Sequence, residues 1–371
     1  MITLEGESLT FRFPEVHEHA KTEINFQRTL RIPDDGKHYP LPPGLGSFPL
    51  RHIEDFADRI PQDWRQRGGV MMPLYQAEAM WIAFRGRAAN DGYPFAIKIA
   101  TGKINAVSGK PWKMELDPSQ NDYVVVPEQP WLDGFCVAKD AVRQFVAMPL
   151  GAGYSVEEQI TGKPEHGGLQ IVAYPMKRER YQQILRQREE LRQREELRRR
   201  EEEQRARALG SAGFAWEASW RSVPRPGAAA PCAAPPRAMG LAAGGRMTQQ
   251  IYADPHGIDA WDQSVSSRCF VTLIDAVQWR DITGEVPTTR PPTAADYTKA
   301  GLPWFDYYAA DLETLAGAPA LTLVKSVAEL AEEKGEQVLC PDGEVTPGTV
   351  IGLGPGKPPR LHARPVREGQ A

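Results

Sequence analysis

The segment ADPHGIDAWDQ, residues 253–263, holds the densest set of side chains that could do chemistry. Asp254, His256, Asp259 and Asp262 alternate with other residues along a loop, so carboxylate oxygens and an imidazole nitrogen could converge on a hard or borderline metal ion. The order is not that of an EF-hand, and the terminal bidentate glutamate is missing. Asp-Pro and His-Gly pairs also close turns by accepting backbone N–H groups, and turn capping without a bound metal is the expectation here. If the chain is instead a hydrolase or a glycan-processing enzyme, Asp254, Asp259 and Asp262 are its acid and base candidates, and Asp254 with His256 its metal candidates. In VHEH, His17 and His19 would share one side of a strand; without further ligands they read as surface histidines.

Aromatic residues form a second set. QPWLDGF (129–135) and GLPWFDYY (301–308) share a pattern of proline, tryptophan, an acidic residue and then an aromatic residue or glycine. Exposed, Trp131, Trp304, Phe305 and Tyr307 would make a stacking platform for a sugar or a peptide; buried, they plug the core under a loop, which is the expected fate.

The glycine-rich stretches are weaker. MPLGAGYSVEEQI (148–160) and MGLAAGGRMTQQI (239–251) agree at six of thirteen positions. The first has the strand–turn–helix order of a dinucleotide site, but Val156 stands where the third glycine belongs, and no parallel βαβ pattern surrounds it. GLGPGK puts Pro358 where a P-loop needs Ser or Thr, and GYSVE puts Glu157 where a nucleophile elbow needs glycine. No cofactor is expected. Both stretches read as architectural, with Gly and Ala permitting close backbone approach.

The elements that must position these residues follow from periodicity. MWIAFRGR, PFAIKIATGKINAVSG, YVVVP, GLQIVAYP and RCFVTLID read as strands. Ser155 with Glu158, and Thr293 with Asp296, have capping-box spacing; Gly284, Gly301 and Gly335 are helix stops. LRQREE, LRQREE and LRRREE (185–202) repeat every six residues, so successive leucines turn by about 120° and form no coiled-coil stripe. Glu190–Arg194 and Glu196–Arg200 are favourable pairs for a solvated helix. A coiled-coil seam is the alternative for that helix.

The expected division is 1–176 as the first half of a β-rich core, 177–208 as a charged helix, 209–238 as a Pro/Ala-rich disordered linker, 239–335 as the second half, and 336–371 as a partly disordered tail with one strand near Val350. The formal charge of −4 gives no reason to expect nucleic acid. No apolar run approaches the roughly 18–20 residues of a membrane span, and the opening MITLEGESLTFRF lacks a signal pattern. The cysteines (136, 232, 269, 340) lie far apart, so a cytoplasmic protein without disulfides is expected.

The runs QPWLDGF, RQFVAMPLGAGYSVEEQITG, GLAAGGRM with QQIYADPHGIDAWDQ, and GLPWFDYY together resemble a family of uncharacterised proteins from actinobacteria and filamentous fungi. The likeness covers about 75–330 without the charged helix and linker. Some members carry the label integral membrane protein, for which this sequence offers no span. The resemblance implies no activity and no catalytic residue; it implies that the two halves form one unit. The expected fold is mixed α/β, a β-rich core with a long charged helical insertion. The expected function is a binding or structural-assembly protein, engaging a protein partner or a second copy, with the carboxylate-based hydrolase as the alternative.

Overall fold

Short apolar runs bounded by Gly, Pro and Asp dominate the chain, and they pair into one large, mainly antiparallel sheet. The computed structural model describes residues 1–85, 92–119, 121–207, 238–287, 289–309 and 311–337, together with 345, 347 and 350–353. Among these, a 16-stranded sheet runs in the order Ile2–Glu5, Ser8–Arg12, Lys21–Thr29, Ala79–Arg85, Ala141–Pro149, Ala238–Thr248, Ser267–Asp275, Leu169–Pro175, Phe95–Thr101, Val124–Val126, with shorter strands paired along its flanks. The fold is mixed α/β with a β-rich core, as expected from the strand patterns.

The strands Ala238–Thr248 and Ser267–Asp275 lie in the middle of that order, between strands from the first half of the chain. Residues from both halves share one apolar cluster, among them Phe26, Ile97, Phe145, Leu241 and Val271. The two similar glycine-rich stretches meet here: Met148 pairs with Gly240 and Pro149 with Met239. They are not two copies of one structure, since the first passes through a turn into the helix Val156–Thr161 while the second stays a strand. Small residues matter at the close approaches. A Cβ on Gly245 would lie 2.3 Å from the carbonyl oxygen of Pro33.

The strand Phe95–Thr101 departs from simple alternation, because all seven residues are buried, Lys98 included. Lys98 is paired with Asp122, whose Oδ2 lies 2.5 Å from its Nζ, and lies over the Trp112 ring. Local capping follows the sequence closely. Ser155 with Glu158 and Ser326 with Glu329 form capping boxes, Thr293 and Asp296 exchange the same bonds, and Gly284 and Gly335 end their helices in the left-handed region.

The charged repeat forms a helix, Arg178–Arg207. Leu191 and Leu197 are 57% and 61% exposed and Leu185 36%, in keeping with a repeat that builds no stripe. Glu189 and Arg192 form an ion pair along it, 2.8 Å apart. Its start is anchored to the core: Tyr181 is buried against Tyr93 and His17, at ring separations of 4.3 and 5.1 Å, and Arg178 donates to the Val16 carbonyl. His17 and His19 sit in a turn rather than on a strand, and His17 is half-buried by these rings. The expected linker and Cys232 lie outside the described residues, as do Cys340 and most of the expected tail. Within that tail, Val350–Leu353 forms a strand parallel to Trp304–Tyr307.

The chain leaves the sheet and returns to it at opposite ends of one strand. Ala173 pairs with Ser267 and Ala238 with Ile274, so seven residues of Ser267–Asp275, or about 23 Å, separate exit from return. Replacing 186–237 by a flexible Gly/Ser linker of about 20 residues, which averages roughly 25 Å, should leave the melting temperature near that of the full chain. Loss of cooperative unfolding in that variant would show that the core depends on the replaced segment.

Candidate functional site

Three neighbouring strands carry the site. Lys21–Thr29 pairs with Ala79–Arg85, which pairs in turn with Trp131–Leu132. The register sets Asn25 opposite Ala83, Ala83 opposite Trp131, and Gln27 opposite Trp81. Side chains alternate across a sheet, so these residues share one face while Ile24, Phe26, Ile82 and Leu132 point into the apolar core on the other. Asp133 joins the first face, because Trp131 Nε1 donates to its Oδ2 at 3.2 Å.

The covering layer comes from far along the chain. Leu41 and Phe305 exchange both backbone hydrogen bonds at 2.8 Å, which lays the strand Trp304–Tyr307 beside the segment that follows Tyr39. Gly44 presses onto the face so closely that a Cβ there would lie 2.7 Å from Gln27 Oε1. Tyr307 packs edge-on against Trp131 at 5.3 Å and Tyr252 at 5.9 Å, and Trp131 meets Trp81 edge-on at 6.5 Å.

A small hollow, with room for about one water molecule, lies between Leu41, Gln129, Trp131, Gln250, Phe305 and Tyr307. Gln250 also lines a second, wider cleft of about 500 Å³, with Lys139, Asp140, Tyr308, Glu313 and Thr314 on its walls. Of the aromatic residues singled out in the sequence, Trp131, Phe305 and Tyr307 therefore come together, each half-buried. Trp304 does not. It falls on the opposite face of its strand, buried against Tyr297 with ring centroids 6.2 Å apart.

Two glutamines hold the segment around Trp131 in place. Gln129 Nε2 donates to the Trp131 and Gln250 carbonyls at 3.0 and 3.2 Å, and its Oε1 accepts from Tyr252 N at 3.1 Å. Gln249 Nε2 donates to the Trp131 carbonyl at 3.1 Å and its Oε1 accepts from Asp133 N at 2.9 Å. Asp133 itself is fully buried, and burial pushes its carboxyl well above the usual carboxylate range. Its Oδ1, Asn25 Nδ2 and Trp81 Nε1 are buried without a hydrogen-bond partner among the described residues.

The 254–262 loop is arranged differently from a metal site or a catalytic carboxylate pair. Asp254 Oδ2 accepts from Tyr123 Oη and Trp261 Nε1, both at 2.7 Å, and its Oδ1 accepts from the backbone N–H groups of His256 and Gly257. Burial, and then Asp254, push the Tyr123 hydroxyl up. Asp262 caps Ser264, and Asp259 is exposed on the short helix Ile258–Ala260. His256 turns instead toward Glu128, 3.3 Å away, at the edge of the aromatic site. No group of three or more potential metal-ligating side chains occurs among the described residues.

The glycine turn at 151–153 holds an anion of its own. Gly151 N and Gly153 N donate to Glu158 Oε1 at 2.9 and 2.8 Å, so the capping-box carboxylate occupies the place a phosphate would need. Asn25, Trp81, Glu128, Gln129, Asp133, Gln249 and Gln250 went unrecognised in the sequence. Only W-x-D at 131–133 carried a local signal, since residues two apart on a strand share a face.

Comparisons with protein-family models, with curated proteins and with solved structures find no match. No helix among the described residues is long and apolar enough to cross a membrane.

Asp254→Ala should strand two buried donors, Tyr123 Oη and Trp261 Nε1, and cost roughly 2–6 kcal/mol at about 1–3 each. Chemical denaturation with and without calcium, magnesium, zinc or chelator checks this; a small loss together with a metal-dependent shift in the parent protein would speak for a metal site.

Asp133 binds its proton more tightly in the folded chain than in the unfolded chain, which releases it near pH 4. Stability from this group is therefore lost as pH rises above about 4 toward the raised folded value. Asp133→Asn, which keeps an acceptor for Trp131, should gain on the parent protein as pH rises above about 4. A stability difference independent of pH would contradict a raised Asp133.

Proposed function

We propose that this chain is a binding protein and that Trp131, Phe305 and Tyr307 seat its ligand. The observation that carries this reading is the convergence of three half-buried aromatic side chains, from two segments far apart in sequence, on one hollow. Their carbon faces favour a ligand with an apolar face, and the amide of Gln250 leads from that hollow into the wider polar cleft. The hollow between the rings is far smaller than the roughly 300–1,000 Å³ of pockets that enclose a drug-sized molecule, so an extended ligand would rest on the aromatic edges and continue into the wider cleft. A neutral oligosaccharide or an uncharged peptide fits that description.

The carboxylate hydrolase has less support. Asp254 is committed to four donors, Asp262 to its own turn, and Asp259 faces solvent away from any partner carboxylate shown. Self-association through the long helix also has little support, because Leu185, Leu191 and Leu197 point in three directions.

Isothermal titration of the full chain with cellohexaose, maltohexaose, chitohexaose and octaproline tests the reading. At least one probe should bind, and Trp131→Ala, with its fold verified by circular dichroism, should weaken it tenfold or more, about 1.4 kcal/mol. Failure of every probe, or equal affinity in Trp131→Ala, would remove the seat.

A further inference from the structure

The long charged helix starts on a cup of aromatic rings and one histidine. Between Ser8–Arg12 and Lys21–Thr29 the chain turns, with Phe13 N donating to Ala20 O and Ala20 N to His17 O. The first residues of Arg178–Arg207 rest on this turn. The Tyr181 ring is buried 5.1 Å from His17 and 4.3 Å from Tyr93, and Arg178 Nε donates to Val16 O at 2.6 Å. Tyr93 is buried as well, 5.6 Å from His17, and its hydroxyl donates to Met176 O just ahead of the helix. Beyond Ile184, which packs partly against the core, the leucines of the helix are exposed, so its direction is set at its first turns.

This arrangement calls for a neutral His17. Its Nδ1 accepts the backbone N–H of His19 at 3.1 Å, so that nitrogen carries a lone pair and the ring proton sits on Nε2. A second proton on Nδ1 would turn the acceptor into a donor facing the His19 N–H, and the bond would be lost. The charges around the ring come from both the turn and the helix: His19 and Arg178 repel an imidazolium, and Glu18 attracts one. Tyr93 adds no charge, because burial raises its hydroxyl, and Asp262 and Glu179 face Tyr93. Aromatic faces favour a cation, as Glu18 does. Burial first, and then His19 and Arg178, outweigh them and hold His17 below the usual histidine value.

We infer that His17 is a proton-operated latch on the long helix: the neutral ring seats Tyr181 and Arg178, and protonation loosens the first turns and frees the helix to change direction. The seated form binds the proton more weakly than a free histidine, which takes it up near pH 6.5. The seat is therefore complete above about pH 6.5 and is lost as pH falls through the lowered value. None of the residues of the proposed ligand seat takes part.

Aromatic ¹H–¹³C spectra of the full chain with labelled histidine and tyrosine test the latch across the range from about pH 8 to about pH 5, the span in which an imidazole titrates. His17, Tyr93 and Tyr181 are assigned through His17→Asn, Tyr93→Phe and Tyr181→Phe. The His17 ring should titrate with a midpoint below 6.5, and the Tyr181 signal should move with the same midpoint toward that of an exposed tyrosine. Tyr297, whose hydroxyl is held by Pro43 O elsewhere in the core, should stay fixed. Hydrogen exchange of the amides in the first turns, corrected for its intrinsic pH dependence, should lose protection about threefold or more over the same range, as a half-unit depression requires. His17→Asn keeps a neutral acceptor for the His19 N–H and should hold Tyr181 in its high-pH position throughout.

A Tyr181 signal that ignores pH while His17 titrates, or a response that persists in His17→Asn, would overturn the latch. Titration of His17 at or above 6.5 does the same, since protonation would then leave the seat intact or tighten it. Should His17→Asn not fold, the parent titration still decides the matter: Tyr181 and His17 share a midpoint below 6.5, or the inference fails.

Discussion

The amide side chains of Gln129 and Gln249 take over backbone hydrogen bonds that no strand supplies. The run 131–132 is too short to anchor itself by ladder bonds alone, with two residues paired to Ala79–Arg85. Gln129 and Gln249 both donate to the Trp131 carbonyl, and their oxygens collect Tyr252 N and Asp133 N. Two buried glutamines therefore tie residues 129–133 to 249–252, and everything at the site follows from that tie: the stand of Trp131 against Tyr307, the burial of Asp133, and the shared wall at Gln250. Replacing either amide would leave buried backbone groups unpaired, a cost comparable to losing several ordinary hydrogen bonds.

That tie is available because Ala141–Pro149 and Ala238–Thr248 pair along most of their length, delivering Gln249 and Gln250 to the end of the sheet where 129–133 passes. The small residues in both stretches serve this approach. The one place among them that looked ready for a phosphate is filled by Glu158, so an apparent ligand motif is a self-satisfied turn. Asp254 follows the same logic in the 254–262 loop, where four donors converge on one carboxylate.

What could be read from the sequence was local. Ser155 with Glu158 and Thr293 with Asp296 announce helix starts because the capping bonds span three residues, and Gly284 and Gly335 announce stops because only the left-handed region suits the next residue. The strands around Ile97, Ile171 and Val271 showed in their branched and apolar runs. The aromatic candidates were half legible: Phe305 and Tyr307 share a face by period two, and the same period sends Trp304 to the other side. Register across a hundred residues was not legible. Nothing near Asn25 announces that Ala83 and then Trp131 will lie beside it, and Lys98 gives no local sign that Asp122 will let it be buried.

The most direct measurement is a high-resolution crystal structure of the full chain grown with the tightest-binding hexasaccharide. A sugar ring should lie against Trp131 and Tyr307 and extend toward Gln250. A structure with the saccharide bound elsewhere, or with no ring on Trp131, would show that these aromatic residues are not its seat.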